Sequence, residues 1–209
     1  PPPGGPPALP TDIRLTSLPG APTAYGRLVG QVTSLDPAPV TIARPEHAPA
    51  YRGHLGKVVE SPDIAGDLRA LADLVEDCTE NILILPADSL IHDELIYQLS
   101  KAKRAALALI AREQRGEEIG MKSIEGLPQR TRASRGRVIS VGTAHHAVTR
   151  PNAVLLGPLH LHQRHAALLA ETARELAEIA HLFGPEDDVV ELLVFGLVRK
   201  GVSVGVRGR

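Results

Sequence analysis

The chain has 209 residues, 43% of them hydrophobic, which is enough for one ordinary domain with a buried core. Its 23 Lys and Arg residues balance 24 Asp and Glu residues, so the overall charge favours neither nucleic acid nor an anionic membrane. A single cysteine, Cys78, excludes an internal disulfide framework, and no apolar run reaches the ~20 residues that a membrane span needs. With no signal-peptide pattern, these features favour a cytoplasmic location.

Residues 1–10 (PPPGGPPALP) predict a disordered leader, and residues 11–209 are predicted to form a single domain. The first residue is Pro1 rather than Met, as in a fragment of a longer protein. Strands are predicted at residues 13–18, 39–43, 55–60, 81–86, 105–111, 137–142, 153–161 and 202–206. Helices are predicted at residues 23–35, 61–78, 93–100, 164–182 and 186–199. Residues 112–137 are polar and are predicted to form loops or edge strands.

Three local patterns are especially informative about the fold. Thr23 is expected to cap the first helix, and Ser61-Pro62-Asp63 is typical of the start of the second. The continuous apolar run NILILP at residues 81–86 is typical of a strand covered on both faces. Strands alternating with helices predict a three-layer α/β/α sandwich with a mostly parallel central sheet. Such sheets bind ligands beyond the carboxyl ends of their strands, which directs attention to the loop after residues 82–85.

Asp88 follows this apolar strand directly and is the candidate metal ligand of the chain. A carboxylate there can hold Mg²⁺, which neutralises phosphate charge during nucleotidyl or phosphoryl transfer. The alternative is that Asp88 caps the following helix. His92, Asp93 and Glu94 lie at the start of that helix, where acidic side chains also favour the helix dipole.

The other polar clusters have competing interpretations. His160, His162 and His165 are spaced for a metal site, or they are solvent-facing histidines at a strand-to-helix junction. The adjacent His145 and His146 cannot act as one site, although one of them can line a pocket. The basic cluster comprises Arg130, Arg132, Arg135 and Arg137. It is interpreted as a phosphate-holding flap, a surface for nucleic acid or lipid headgroups, or a solvated loop.

Several stretches resemble the sugar-phosphate nucleotidyltransferases, which have a GT-A-type fold. They are RLVGQ at residues 27–31, ARPE at 43–46, the helix from Gly66 to Val75, LILPADSLIHDE at 83–94, GTAHHAVTRPN at 142–152, and DDVV at 187–190 with the Leu/Val-rich helix that follows it. Within this family the chain is most similar to the cytidylyltransferase-like domain that actinobacteria fuse to a CDP-alcohol phosphatidyltransferase. The likeness extends over most of residues 23–206.

The resemblance implies a role for three residues. Asp88 matches the metal-binding aspartate of the family, Gly66 sits where the family contacts the nucleotide base, and Gly20 falls in the loop that holds the triphosphate. In the family that loop carries GxGxR and then a Pro-Lys pair, whereas residues 13–25 (IRLTSLPGAPTAY) contain neither. No catalytic residue is assigned from the sequence.

The implied function is Mg²⁺-dependent transfer of a nucleotidyl group from CTP, or another nucleoside triphosphate, to a small sugar or polyol phosphate. This reaction would serve phospholipid or polyol-phosphate synthesis, with a CDP-alcohol phosphatidyltransferase as partner or fused domain and without nucleic acid. The alternative is a degenerate, non-catalytic domain of the same fold that binds a nucleotide or assists assembly, because the phosphate loop lacks its cation.

Overall fold

The computed structural model describes residues 23–35, 39–54, 56–87, 92–102, 106–112, 131–184 and 187–208. The predicted leader at residues 1–10 and the predicted strand at residues 13–18 lie outside this part of the chain. The helices are α1 (Ala24–Val32), α2 (Ala48–Tyr51), α3 (Ile64–Val75), α4 (Asp93–Ser100), α5 (Ala166–Glu178) and α6 (Val189–Arg199). The strands are β1 (Val40–Ala43), β2 (Lys57–Glu60), β3 (Ile82–Ile84), β4 (Ala106–Arg112), β5 (Thr131–Ser134), β6 (Arg137–Val141), β7 (Ala153–Leu161) and β8 (Gly205–Gly208).

Side-chain caps fix where the first helices begin, as the sequence predicts. The Thr23 hydroxyl accepts a hydrogen bond from Gly26 N at 2.9 Å at the start of α1. Asp63 does the same for Gly66 N at 2.7 Å at the start of α3. Each cap satisfies a backbone donor that has no partner within its helix.

The helix predicted at residues 164–182 is shorter in the structure. It is divided into a 3-10 turn at Gln163–His165, the helix α5 and a second 3-10 turn at Ala180–Leu182. His162 caps the first turn, because its Nδ1 accepts a hydrogen bond from Arg164 N at 3.2 Å. The apolar periodicity therefore extends beyond the α-helix itself at both ends.

The prediction of a mostly parallel central sheet is wrong for the main described sheet. That sheet has the order β3-β7-β4-β8-β6-β5, and within it only β4 and β8 pair in parallel. β7 runs antiparallel to both β3 and β4, and its first residue also pairs with β5. Parallel pairing requires a long crossover connection, usually a helix, and the described residues between β4 and β7 contain none. A separate two-stranded sheet, β1-β2, is parallel.

β3 is covered on both faces, which confirms the prediction from its continuous apolar run. Ile82 and Ile84 pack into the main core together with residues of α3, α5 and α6. Leu83 points the other way, into a smaller cluster with Leu28 of α1 and Ile96 of α4. Alternate side chains of a strand face opposite sides, so this strand needs apolar residues at every position.

Polar contacts on the surface join α5 to its two neighbouring helices. Arg174 of α5 bonds Glu76 at the end of α3 at 2.6 and 2.8 Å, and this lowers the pKa of the Glu76 carboxyl. Lys200, after α6, bonds Glu171 and Glu175 of α5 at 2.8 Å each, which raises the pKa of the Lys200 ammonium. None of the helices in the described residues is both long and apolar enough to cross a membrane.

Candidate functional site

The carboxyl ends of β1, β2 and β3 meet at one edge of the structure. Ser61, which follows β2, donates its backbone N–H to the carbonyl of Ala43 at the end of β1, at 2.9 Å. Ala87, three residues after β3, packs against a cluster that contains Ala43 and also Tyr25 of α1. The start of α1, the end of β1, β2 and the segment after β3 therefore share one small apolar cluster. We call it the strand-end cluster, and it consists of Tyr25, Val29, Ala43, Ala48, Tyr51, Val58 and Ala87.

Arg44 connects the end of β1 to the start of α3. Its Nη1 donates to the carbonyls of Ser61 and Asp63 at 3.2 and 3.3 Å, and to the carboxylate of Asp67 at 2.6 Å. The Asp67 side chain is largely buried in this pair, whereas the Arg44 side chain stays 35% exposed. A charge-assisted bond of this kind fixes the helix relative to the strand and leaves the rest of the guanidinium facing solvent.

Gly66 lies in the first turn of α3, where there is no room for a side chain. A Cβ atom at this position would lie 2.5 Å from the Ser61 hydroxyl oxygen and 2.9 Å from Cδ of Pro62. Its backbone N–H already donates to Asp63 at 2.7 Å. The glycine therefore allows the helix to approach the loop that leads out of β2, next to the strand-end cluster.

The middle of β7 contacts the chain just before Asp88. Gly157 has a positive φ of +96°, and a Cβ atom there would lie 2.2 Å from Cγ of Pro86. The pairing of β4 with β7 shifts register opposite this glycine, between Ala108 and Ile110. Glycine inside a strand often marks such an irregularity with a close approach of another chain segment, a signal that the sequence interpretation did not use.

A tight turn at residues 143–146, which we call the 143–146 turn, lies beside the first residue of β7. Thr143 and His146 exchange backbone hydrogen bonds of 3.1 Å in both directions. The turn follows β6, whose last residue, Val141, pairs with Thr131, and Thr131 in turn pairs with Ala153. At about 3.3 Å per residue, Ala153 is roughly 13 Å along β7 from the glycine at Pro86.

Asp187 holds the 143–146 turn against the loop that precedes α6. Both of its carboxylate oxygens accept the N–H of Ala144 at 3.1 Å, and Oδ2 also accepts the N–H of Gly184 at 2.9 Å. The residue is 8% exposed. This role was not predicted from the sequence, because Ala144 and Asp187 are 43 positions apart and neither residue type indicates that the backbone of one bonds the side chain of the other.

Of the residues predicted to form the site, Gly66 is described and lies at the strand ends, whereas Gly20 and Asp88 lie outside the described residues. His92, rather than Asp88, fills the N-cap position of α4, with its Nδ1 accepting from Glu94 N at 3.3 Å. Asp93 instead accepts a hydrogen bond from the side chain of Gln31. Within the described residues no group of three His, Cys, Asp or Glu side chains is placed to hold a metal ion.

His160, His162 and His165 are neither a metal site nor uniformly solvent-facing. His160 has no exposed surface, and neither ring nitrogen has a hydrogen-bond partner among the described residues. Burial, with a smaller contribution from His162, lowers the pKa of the His160 imidazole. Burial also lowers the pKa of His165, to which Arg164 Nε donates at 3.3 Å. His160 is buried because it faces Leu83 across the β3–β7 pair, on the side covered by α1 and α4.

The basic cluster belongs to a hairpin rather than to an irregular loop. Arg132 lies on β5 and Arg137 on β6, and both are exposed. Arg135 and Gly136 form the two-residue connection, with φ of 48° and 76°, as a type I′ turn requires. Arg130 lies outside the described residues.

A groove of about 490 Å³ runs between α1 and α4. Arg27, Gln31, Asp93, Glu94 and Tyr97 are among the residues that line it. Its walls carry both signs of charge, and it follows the outer faces of the two helices. None of the residues that line it belongs to the strand-end cluster.

The chain has a mixed α/β fold, and comparison with solved structures shows that nucleotidyltransferases share this fold. The inositol-1-phosphate CTP transferase from T. maritima superposes with a TM-score of 0.62 and 12% identity, over 94% of this chain and 76% of that chain. A nucleoside-diphosphate-sugar pyrophosphorylase from Vibrio cholerae gives a TM-score of 0.57 at 12% identity, over 97% of this chain and 85% of that chain.

A third solved structure extends the likeness to another nucleotide-handling enzyme. The 4-diphosphocytidyl-2C-methyl-D-erythritol synthase from Anaerococcus prevotii gives a TM-score of 0.55 at 11% identity, over 90% of this chain and 78% of that chain. No protein-family model matches the chain, and no curated protein matches it in sequence. At identities this low the likeness shows the fold and leaves the activity to be argued from the chain's own residues.

Proposed function

We propose that the chain binds a nucleoside triphosphate at the edge where β1, β2 and β3 end, and transfers its nucleotidyl group to a small phosphorylated alcohol. The observation that carries this proposal is the strand-end cluster. Ala87, which immediately precedes Asp88, packs in this cluster with Tyr25, which lies five positions after Gly20. The cluster therefore brings together the chain segments next to Asp88 and Gly20. α/β sheets bind their ligands at such an edge.

The proposed reaction is an in-line displacement at the α-phosphorus. A phosphate oxygen of the acceptor forms the new bond to this phosphorus, the bond to the bridging oxygen breaks, and pyrophosphate leaves with that electron pair. We propose CTP as the nucleotide, following the sequence resemblance. Asp88 is proposed to hold Mg²⁺, which when bound neutralises phosphate charge.

The acceptor is proposed to lie between the end of β3 and the 143–146 turn. This region has exposed groups that suit a phosphate, the imidazole of His145 and the guanidinium of Arg150. Arg150 has no ion-pair partner among the described residues. A polyol phosphate of the phospholipid-synthesis type fits this arrangement, and we extend the proposal to a CDP-alcohol phosphatidyltransferase as the partner or fused domain that uses the product.

A second candidate is a non-catalytic domain of the same fold that binds a nucleotide or assists assembly. The observation that favours it is the composition of residues 13–25, which contain Gly20 but neither a GxGxR pattern nor a lysine. Triphosphates held at the start of a helix rely on backbone N–H groups and on a nearby cation. A chain that lacks these donors would retain the architecture and lose the transfer reaction.

The experiment is calorimetric titration of the full chain with CTP and the other nucleoside triphosphates, with and without Mg²⁺. The proposal expects micromolar, Mg²⁺-dependent binding that Asp88→Ala abolishes. Asp77→Ala is the matched control, since Asp77 is an exposed carboxylate in the turn after α3. Nucleotide binding that is the same in Asp88→Ala and in the unchanged chain would contradict the assigned role of Asp88.

Pyrophosphate release separates the two candidates. Release that depends on both CTP and a polyol phosphate, such as inositol 1-phosphate or glycerol 3-phosphate, supports the transferase. Nucleotide binding without release with any of these acceptors supports the non-catalytic domain. No binding at millimolar nucleotide contradicts the transferase and the nucleotide-binding form of the second candidate, and favours the assembly role.

A further inference from the structure

Asp187 makes contacts that a helix start does not need. Its carboxylate accepts two backbone N–H groups from different loops, that of Ala144 in the 143–146 turn and that of Gly184 before α6. The next residue, Asp188, already caps α6, with its Oδ1 accepting from Val190 N at 2.7 Å and Glu191 N at 3.4 Å. The helix cap and the loop contact are therefore divided between two adjacent aspartates.

The carboxylate of Asp187 is well suited to fixing the position of the turn. It is 8% exposed, so water competes little for its oxygens. Bonds from backbone N–H groups to an ionised carboxylate are among the stronger hydrogen bonds in proteins. The turn itself is closed by only two backbone bonds, between Thr143 and His146, and three of its residues are exposed at the surface.

We propose that Asp187 is a positioning residue for acceptor binding: its carboxylate holds the 143–146 turn at the distance from the β3 end that the phosphorylated acceptor requires. This inference rests on the proposed function, because it takes the turn as the acceptor side of the cleft. Asp187 touches neither substrate. It acts through the backbone of Ala144 and so fixes the position of the neighbouring His145.

Removing the contact from either side should have the same effect. Asp187→Asn keeps the size of the side chain but removes its charge and one acceptor oxygen. Ala144→Pro removes the N–H that Asp187 accepts. Ala144 is the first central residue of the turn and does not have a positive φ, so proline suits this position. Asp188→Asn is the matched control, because it weakens the cap of α6 and leaves the contact with the turn in place.

The first measurement is amide hydrogen exchange of the turn, followed residue by residue in the full chain. Exchange at Thr143 and His146, whose N–H groups each bond the other residue's carbonyl, should rise at least tenfold in Asp187→Asn and Ala144→Pro, and the double variant should show no further increase. Asp188→Asn should leave these amides unchanged. Equal exchange in Asp187→Asn and the unchanged chain overturns the inference, and so does an equal rise in Asp188→Asn.

The second measurement separates positioning from general destabilisation. With CTP saturating and inositol 1-phosphate or glycerol 3-phosphate varied, Asp187→Asn should raise KM for the acceptor about tenfold and leave the affinity for CTP unchanged. A fall in CTP affinity of the same size overturns the inference. If the unchanged chain transfers no nucleotidyl group, the proposed function fails. The inference is then tested by titrating the chain with inorganic phosphate in place of the acceptor, and binding is followed by the shift of the His145 amide signal. Phosphate binding that Asp187→Asn weakens and Asp188→Asn does not supports the inference, and equal weakening overturns it.

Discussion

Replacing His160 by leucine is expected to stabilise the protein. His160 has no exposed surface, and neither ring nitrogen has a partner among the described residues. A neutral imidazole brings one donor and one acceptor into the core, and burying such a side chain without partners costs about 1–3 kcal/mol. Leucine has a similar volume and matches Leu83, which faces this position on the neighbouring strand. We therefore expect His160→Leu to gain about 1–3 kcal/mol at neutral pH.

The same substitution should also remove part of the pH dependence of stability. Burial lowers the pKa of His160 in the folded protein below its ordinary value of 6.5, so the unfolded chain takes up a proton first as the pH falls. Stability should then decrease from about pH 6.5 downwards until the folded imidazole also titrates, by at most about 1.4 kcal/mol per pH unit for one proton. Burial lowers the pKa of His165 as well, and that contribution persists in the variant. The difference between the two proteins therefore reports His160 alone.

The assay is urea unfolding of both proteins at pH values from 5 to 8, with thermal melts in parallel. A gain of 1 kcal/mol corresponds to a rise of about 2–4 °C in Tm for a chain of this size. His181→Asn, at an exposed histidine in the second 3-10 turn, is the control and should change neither quantity. A His160→Leu protein that is less stable at pH 7.5, or equally sensitive to acid, would show that the imidazole has partners in solution and refute the reasoning.

Three further substitutions test other contacts. Gly66→Ala should destabilise the fold by about 1–3 kcal/mol in urea unfolding, because its Cβ would lie 2.5 Å from the Ser61 hydroxyl oxygen. Ser61→Ala in the same chain should recover part of this loss, and no recovery would mean that the clash is elsewhere. Gly157→Ala should lower the free energy of unfolding by more than about 2 kcal/mol, because the position combines a positive φ with a 2.2 Å approach of the added Cβ to Pro86. It should also weaken nucleotide binding in calorimetry, and normal binding would show that this contact does not affect the site. Lys200→Met should lower Tm at low salt by removing two ion pairs to α5, and the difference should shrink in 1 M NaCl; a difference that salt does not change would point to lost packing.

Local chemistry made the elements of the fold predictable. Thr23 and Asp63 cap helices where the sequence places them, and the strand Ala153–Leu161 and the helix Asp93–Ser100 have the predicted bounds. These features depend on residues that are close together in the sequence, so the spacing of residue types along the chain is enough to predict them. The short helix Ala48–Tyr51 was missed because four residues with a proline carry no periodicity.

The candidate site was predictable only in outline. The rule that ligands bind at strand ends directed attention to the loop after residues 82–85, and the structure places Gly66 and Arg44 at the same edge. Asp187 was missed because backbone N–H groups are its partners, and these have no signature in the sequence. The interpretation of His160 as solvent-facing was wrong, because its position at a strand end gave no information about α1 and α4.

Within the described residues, the sequence by itself determined most of the strands, the capped starts of α1 and α3, and an apolar strand that is covered on both faces. Only the tertiary structure decided that β7 lies antiparallel between β3 and β4, that an aspartate holds a turn 43 positions away, and that an imidazole is buried with no hydrogen-bond partner in the described part of the chain. The physical reason is the range of the interactions. Helix caps and side-chain alternation act between near neighbours, whereas pairing direction and burial depend on which distant segments pack together.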